Sequence, residues 1–195
     1  RDAIRSEMGI DATDFVFLMP AKLIDKKKPD LLLEAYLSLP LEARNRTHVV
    51  YMGDGALKPT LEERLLDEVG HKVHFTGFVN QAELGKYYIA SDAVVLPSAY
   101  EETWGLVINE ALLFGKPCLV SDRVGSRHDL VLEGKTGMIF PSEDFSSLKC
   151  SLLSMPAWLK SERPLITRAC LELGAEYSAA NAARGIAAAA TAVFA

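Results

Sequence analysis

The segment Pro97-Ser98-Ala99-Tyr100-Glu101-Glu102-Thr103-Trp104-Gly105-Leu106-Val107-Ile108-Asn109-Glu110-Ala111 includes a pair of carboxylates, Glu102 and Glu110, with seven residues between them. Its pattern reads as a strand end, an acidic loop, a glycine that lets backbone approach a ligand, and then a helix whose first N–H groups lack intrahelical partners. A helix start of this kind favours an anion. Glu102 falls in the approach loop and Glu110 on the second turn of the helix, so the two can grip different parts of one polar ligand, sugar hydroxyls being suitable donors to them. The alternative reading of the same residues is that Glu102 only complements the helix dipole, worth ~0.3–1 kcal/mol, and that Glu110 is solvated.

A second group, Lys22 with Lys26, Lys27 and Lys28, stands just after a strand-like run and before a helical one. An ammonium at the carboxyl end of a strand is placed to meet phosphate as a point charge; a solvated basic turn is the bland alternative. Other residues of the same chemical types read structurally. His48, His71, His74 and His128 show no metal-ligand spacing, and His71 and His74 flank a strand, where a surface position is expected; His128 alone lies near the expected site, close enough to touch a phosphate. Gly53-Asp54-Gly55 is a lone G-x-G without the rest of a dinucleotide fingerprint and reads as a tight turn. Trp104 reads as a core-facing aromatic at a helix start rather than a sugar platform, and Tyr87 and Tyr88 as packing residues.

The elements that must position these side chains alternate along the chain. Apolar runs at Phe15 to Pro20, Val49 to Met52, Val73 to Thr76, Ala93 to Pro97, Cys118 to Ser121 and Gly137 to Phe140 predict six strands. Helical patterns over residues 29–39, 57–68, 81–90 and 106–114 fall between them, which is the signature of βαβ units. The pattern predicts an α/β fold with a Rossmann-like, doubly wound parallel sheet, in one domain over residues 1–195: a sheet core over about 10–145 and a helical tail over 145–195. The alanine-rich end from Ala179 to Ala195 favours helix but shows no clear packing face. Ligands of such sheets lie beyond the carboxyl ends of the strands, so the site is expected in the loops after strands one to four.

Composition narrows the partners. The formal charge of −5 and the absence of a Lys/Arg stripe argue against a nucleic-acid surface. Cys118, Cys150 and Cys170 are odd in number and widely spaced, which predicts neither a disulfide framework nor a zinc site and points to a reducing compartment. No apolar run reaches membrane-spanning length and the first residues lack a signal-peptide core, so the chain reads as a soluble piece of something longer.

The order P-S-x-x-x-E-x-x-G-L-V-x-x-E-A-L-x-x-G-K-P from Pro97 to Pro117 resembles the E-x7-E signature of the group 1 glycosyltransferases, also called glycosyltransferase family 4. The resemblance extends to A-K-L-x-x-x-K-x-x-D-L-L-L-E-A from Ala21 to Ala35, to Gly53-Asp54-Gly55, to Phe75-Thr76-Gly77-Phe78-Val79, to Ser121-Asp122-Arg123-Val124-Gly125 and to Glu133-Gly134-Lys135-Thr136-Gly137. It implies the C-terminal, donor-binding half of a GT-B fold, metal-independent transfer of a hexose from a nucleotide-diphosphate sugar with retention, and a missing N-terminal acceptor domain. By position, Lys22 and Lys27 correspond to the basic pair that neutralises the diphosphate, Lys22 standing where arginine is more usual and Ala21 where glycine is. Glu110 corresponds to the ribose ligand and Glu102 to the glutamate facing the donor sugar. Gly105, Leu106 and Val107 would offer backbone N–H groups, and Phe78 and Val79 mark the place of the base. No cofactor is implied, since the nucleotide-sugar is a substrate, and no metal. The resemblance further implies polysaccharide or glycolipid assembly in the cytoplasm, with peripheral association of the full enzyme at the inner face of a membrane.

Two other readings compete. One is a non-catalytic nucleotide-sugar-binding or regulatory module, against which stand the intact Glu102, Glu110 and Lys27. The other is a different GT-B enzyme, a phosphorylase or a nucleotide-sugar epimerase, which would not need the E-x7-E segment.

Overall fold

In the computed structural model, residues 1–100 and 102–194 are described, the side chains of Val193 and Phe194 excepted; Glu101 in the acidic loop and Ala195 at the end of the tail lie outside the described residues. The strands are β1 (Phe15–Met19), β2 (Thr47–Met52), β3 (Val73–Gly77), β4 (Ala93–Leu96), β5 (Cys118–Ser121) and β6 (Gly137–Phe140). They form one sheet in the order β3-β2-β1-β4-β5-β6, every pair parallel. All residues of β1, β2, β4 and β5 are buried, as largely apolar strands in a sheet covered on both faces should be. The sheet is the Rossmann-like, doubly wound fold that the alternation predicts.

The helices are α1 (Asp2–Glu7), α2 (Pro29–Leu37), α3 (Leu41–Arg44), α4 (Lys58–Leu65), α5 (Gln81–Ala90), α6 (Leu106–Leu113), α7 (Arg127–Leu130), α8 (Phe145–Glu176) and α9 (Ala179–Phe194), with a 3-10 turn at Asp25–Lys27. Local chemistry explains several starts. Pro29 and Pro59 occupy first-turn positions of α2 and α4, where a missing N–H costs nothing. Asn80 and Asp144 accept from Ala82 N and Ser147 N as N-caps of α5 and α8. α8 bends at Glu162, whose φ of −132° is not helical, two residues before Pro164. Its second part then packs on α6, with Gly174 against Leu112.

The long elements match the sequence expectation to within a few residues, whereas α1, α3, α7 and the 3-10 turn do not announce themselves in the sequence. Each is one or two turns long, too short for a periodic pattern, and is held by tertiary contacts. α1 shows how: the buried Arg5 guanidinium pairs with Asp92 at 2.8 Å and donates to the carbonyls of Ala90 (2.8 Å) and Asp14 (2.9 Å). Burial lowers the pKa of Arg5, and the Asp92 charge opposes that shift. α9 is exposed along nearly its whole described length, in keeping with the undefined packing face of its alanine-rich sequence.

One expectation is corrected at the amino end of the sheet. His74 is not a surface residue flanking a strand; it lies within β3, half-buried, its Nε2 2.8 Å from Nδ1 of the buried His48. His48 Nε2 in turn lies 3.1 Å from Asp14, which also pairs with Lys72 and Arg46. Burial works to raise the Asp14 carboxyl, but hydrogen bonds from His48 and Lys72 outweigh it and hold the group below its usual range. An ionised Asp14 only accepts, so His48 donates through Nε2 and accepts through Nδ1 from His74. Both imidazoles are neutral: burial lowers His48, and burial with the nearby His48, His71 and Lys72 lowers His74 to about 4.

Stability should therefore respond to acid. An unfolded His74 takes up its proton near 6.5 and the folded one only near 4, so the unfolded state binds more protons between those values and stability falls as pH falls through that window. Asp14, with its depressed pKa, contributes stability that is lost only below the usual 3.8, outside the histidine window. The thermal midpoint is expected to decline from about pH 6.5 to about 4, and less steeply in His74→Asn; an identical decline in the variant would remove His74 from the account.

Candidate functional site

The carboxyl ends of the first three strands and the start of α6 enclose a cleft of about 380 Å³. Pro20, Ala21 and Lys22 come from the loop after β1, Met52 from the end of β2 with Gly53 and Asp54 from the loop that follows, and Phe78 and Val79 from the loop after β3. Leu84 of α5 and Val107 and Glu110 of α6 complete the wall. Five residues singled out in the sequence, Lys22, Phe78, Val79, Val107 and Glu110, thus line one cleft, though up to 88 positions separate them in the chain. Lys22 is exposed at its rim, and Phe78 projects with 85% of its surface free.

The β1 and β2 loops meet closely enough to form this wall because Gly53 has no side chain. A Cβ there would lie 2.2 Å from the Ala21 carbonyl oxygen, and the contact is closed on the next loop by Leu23 N donating to the Asp54 carbonyl at 3.0 Å. Gly53-Asp54-Gly55 is thus more than the tight turn its sequence suggests. Gly105 has a different reason to be glycine: as N-cap of α6 it takes a φ of 87°, which directs the chain into the helix.

Lys27 and Glu102 lie outside the walls of this cleft and form a salt bridge with each other, both largely buried, with Ser98 donating to the same Glu102 carboxylate at 3.0 Å. Lys27 ends the 3-10 turn after β1 and Glu102 belongs to the loop after β4, so the pair spans the place where strand order reverses. Lys28 is held differently, in a left-handed conformation with φ 48°, paired with Asp25 at 2.8 Å and near Glu143. Leu106 is exposed and lines a second groove of about 720 Å³, between α6 and the start of α9, which Glu110 also borders. Gly105 is buried beneath Leu96 and Val124.

Some polar partners are invisible to sequence reasoning. Glu110 is not simply solvated: the buried Tyr88 hydroxyl donates to it at 2.6 Å. Trp104, half-buried, donates from Nε1 to Asn109 at 2.7 Å and tilts against Tyr177. Nothing local in the sequence marks Tyr88, Met52 or Leu84 as neighbours of the cleft; only the topology does. Among the described residues, no group of three or more His, Cys, Asp or Glu is placed to hold a metal ion, and no helix is long and apolar enough to cross a membrane.

Chemically, the cleft offers the Lys22 ammonium at its rim, the carboxylates of Asp54 and Glu110, and apolar side chains. It suits a ligand with an anionic end, a hydroxyl-bearing middle and a flat apolar part.

Residues 1–156 match the family model for glycosyl transferases, group 1. The chain is 32% identical over 166 residues to D-inositol 3-phosphate glycosyltransferase 2 of Catenulispora acidiphila, covering 79% of this chain and 38% of that one. It is 32% identical over 140 residues to alpha-monoglucosyldiacylglycerol synthase of Acholeplasma laidlawii, covering 71% and 34%. The chain therefore spans little more than a third of these relatives. Among solved structures, Anabaena HepE in complex with UDP aligns with a TM-score of 0.83 at 21% identity, over 98% of this chain and 52% of that one. Sucrose-phosphate synthase from Thermosynechococcus elongatus aligns with a TM-score of 0.80 at 23% identity, over 100% and 49%. These are likenesses of fold.

The contact at Gly53 yields a direct expectation. Gly53→Ala forces the β1 and β2 loops apart and costs about 1–3 kcal/mol, the usual range for overpacking, measured by urea denaturation. A variant as stable as the wild type would show that the two loops are not held by this approach.

Proposed function

This chain belongs to the group 1 glycosyl transferases, and we propose that it is the donor-binding part of such an enzyme. In this reading residues 1–195 are one unit that holds a nucleotide-diphosphate sugar, and the acceptor is bound by a domain outside this chain. The single observation that carries it is the cleft that collects Lys22, Phe78, Val79, Val107 and Glu110 from separate loops at the carboxyl ends of the strands. The glycosyltransferase names of its relatives, and a structural neighbour in complex with UDP, support the same ligand class.

The base lies against Phe78 and Val79, the ribose hydroxyls donate to Glu110, and the diphosphate meets Lys22, Lys27 and the N–H groups of Gly105, Leu106 and Val107. Glu102 faces the donor sugar. As the sugar–phosphate bond breaks, negative charge grows on the departing nucleoside diphosphate; in this reading the lysines and the helix start stabilise that charge electrostatically. The reading thus needs no metal ion, and retention of anomeric configuration is part of it. Donor binding requires that Lys27 exchange Glu102 for phosphate oxygens, which frees the Glu102 carboxylate for sugar hydroxyls. By this reading the chain alone binds donor and transfers nothing. The full enzyme works in the cytoplasm at the inner face of a membrane, on a glycan or lipid-linked acceptor.

A ligand that binds only the native state raises its apparent stability, so thermal shifts with UDP, GDP, ADP and CMP test the reading first. One nucleoside diphosphate is expected to raise the midpoint; no shift with any of the four would favour a module without donor affinity. Glu110→Ala should weaken the bound nucleotide by about 1–3 kcal/mol through loss of a hydrogen bond to a carboxylate, read by calorimetry. Glu102→Gln removes the charge that neutralises Lys27 and should tighten binding of the bare diphosphate. Weaker or unchanged binding in that variant would place Lys27 outside the phosphate site.

A further inference from the structure

Glu110 carries a second relationship that its sequence neighbours do not share. Tyr88 lies on α5, across the helix interface, with 1% of its surface exposed. Its hydroxyl donates at 2.6 Å to one oxygen of the Glu110 carboxylate. The phenol ring stacks on Phe114 at the end of α6, centroids 5.2 Å apart and planes within 4°. Phe114 in turn lies over Gly85, one turn before Tyr88, where an added Cβ would stand 3.1 Å from the Phe114 ring. Ring, stack and glycine form a brace beneath Glu110 that fixes where the hydroxyl points.

We propose that Tyr88 is a positioning residue that orients the Glu110 carboxylate toward the vicinal hydroxyls of a ribose, and so makes the site selective for ribonucleotides over their 2′,3′-dideoxy counterparts. The inference rests on the reading of Glu110 as the ribose ligand. A glutamate side chain has three rotatable bonds, and at a half-buried site an untethered carboxylate samples several orientations, only some of which meet a hydroxyl pair. With one oxygen held by Tyr88, the orientations open to the carboxylate are restricted, and the other oxygen, which has no hydrogen-bond partner among the described residues, is left for the ligand. Burial, together with the hydrogen bond and charge of Glu110, pushes the phenol far above its ordinary pKa. The hydroxyl therefore stays protonated, and a donor, at neutral pH. A pre-fixed acceptor loses less conformational entropy on binding, and a buried acceptor left without its donor penalises a ligand that lacks the hydroxyl.

The test compares UDP with 2′,3′-dideoxy-UDP by calorimetry on this chain and on Tyr88→Phe and Glu110→Ala, with thermal unfolding as a control for folding. The wild type should prefer UDP, and Glu110→Ala should abolish the preference. Tyr88→Phe, which keeps the ring and its stack on Phe114, should reduce the preference about five- to tenfold while leaving 2′,3′-dideoxy-UDP affinity unchanged. A Tyr88→Phe variant that keeps the full preference overturns the proposal. One that weakens both nucleotides equally also overturns it, since that is the result of a packing role. If instead Glu110→Ala keeps the wild-type preference, the ribose reading itself fails and this inference falls with it.

Discussion

The Lys27–Glu102 ion pair joins two loops that the topology drives apart. β1 and β4 are neighbours in the sheet, but the chain leaves β1 toward β2 on one side and leaves β4 toward β5 on the other. Connections of parallel strands keep one hand, so the two loops depart to opposite faces and a crevice opens between them. The crevice receives one charged side chain from each loop, and both are largely shielded from water. An unpaired charge at that depth would be costly, so each serves as the other's counter-ion. The loops are built to hold this meeting: Ala99 N donates to the Lys26 carbonyl at 2.9 Å, Gly125 N to the Glu102 carbonyl at 2.8 Å, and Tyr100 reaches Asp25 at 3.0 Å.

At the other end of the same two strands the arrangement is closed. Asp92, just before β4, receives Arg5 and the backbone N–H of Val16 on one oxygen and Arg163 of α8 on the other. A buried ion pair of this kind is not a large net source of stability, but loss of one partner strands the other charge. What it contributes here is alignment: α1, β1, β4 and the kink region of α8 are tied to one carboxylate. The amino end of the sheet is thereby tied together.

How much of this is legible in the sequence depends on the range of the interaction. Strands such as Cys118–Ser121 and helices such as Gln81–Ala90 follow from apolar runs, period and caps lying within a dozen residues, and six strands with alternating helices leave little choice of fold. The E-x7-E segment is also local, and its place after a strand locates the site. What fails to show is each partner brought from a distance. Glu102 meets Lys27 across 75 positions, Glu110 meets Tyr88 across 22, and His48 meets His74 across 26. His74 reads as a surface residue because a lone histidine at a strand carries no mark of the neighbouring strand. Register supplies it: His74 is aligned with Val50 on β2, two residues from His48, so the two side chains share one face. Short elements such as Leu41–Arg44 are silent for the same reason, being stabilised by what they pack on.

These distant partners bear on how such a site can bind. Glu102 and Glu110, and one of the two lysines proposed for the phosphate site, already have partners within the chain: Glu102 with Lys27 and Ser98, Glu110 with Tyr88. The two arrangements differ in kind. The first is an ion pair that, under the proposed donor reading, must break on binding, at a cost to affinity. The second uses one lone-pair direction of a carboxylate that has several, so under the same reading it would survive binding and add to it by preorganisation. A site composed of one contact that must break and one that must hold would separate the two ends of its ligand energetically: the nucleoside end is met by a fixed acceptor, and the phosphate and sugar end by charges that become available only when the ligand arrives to replace their partners.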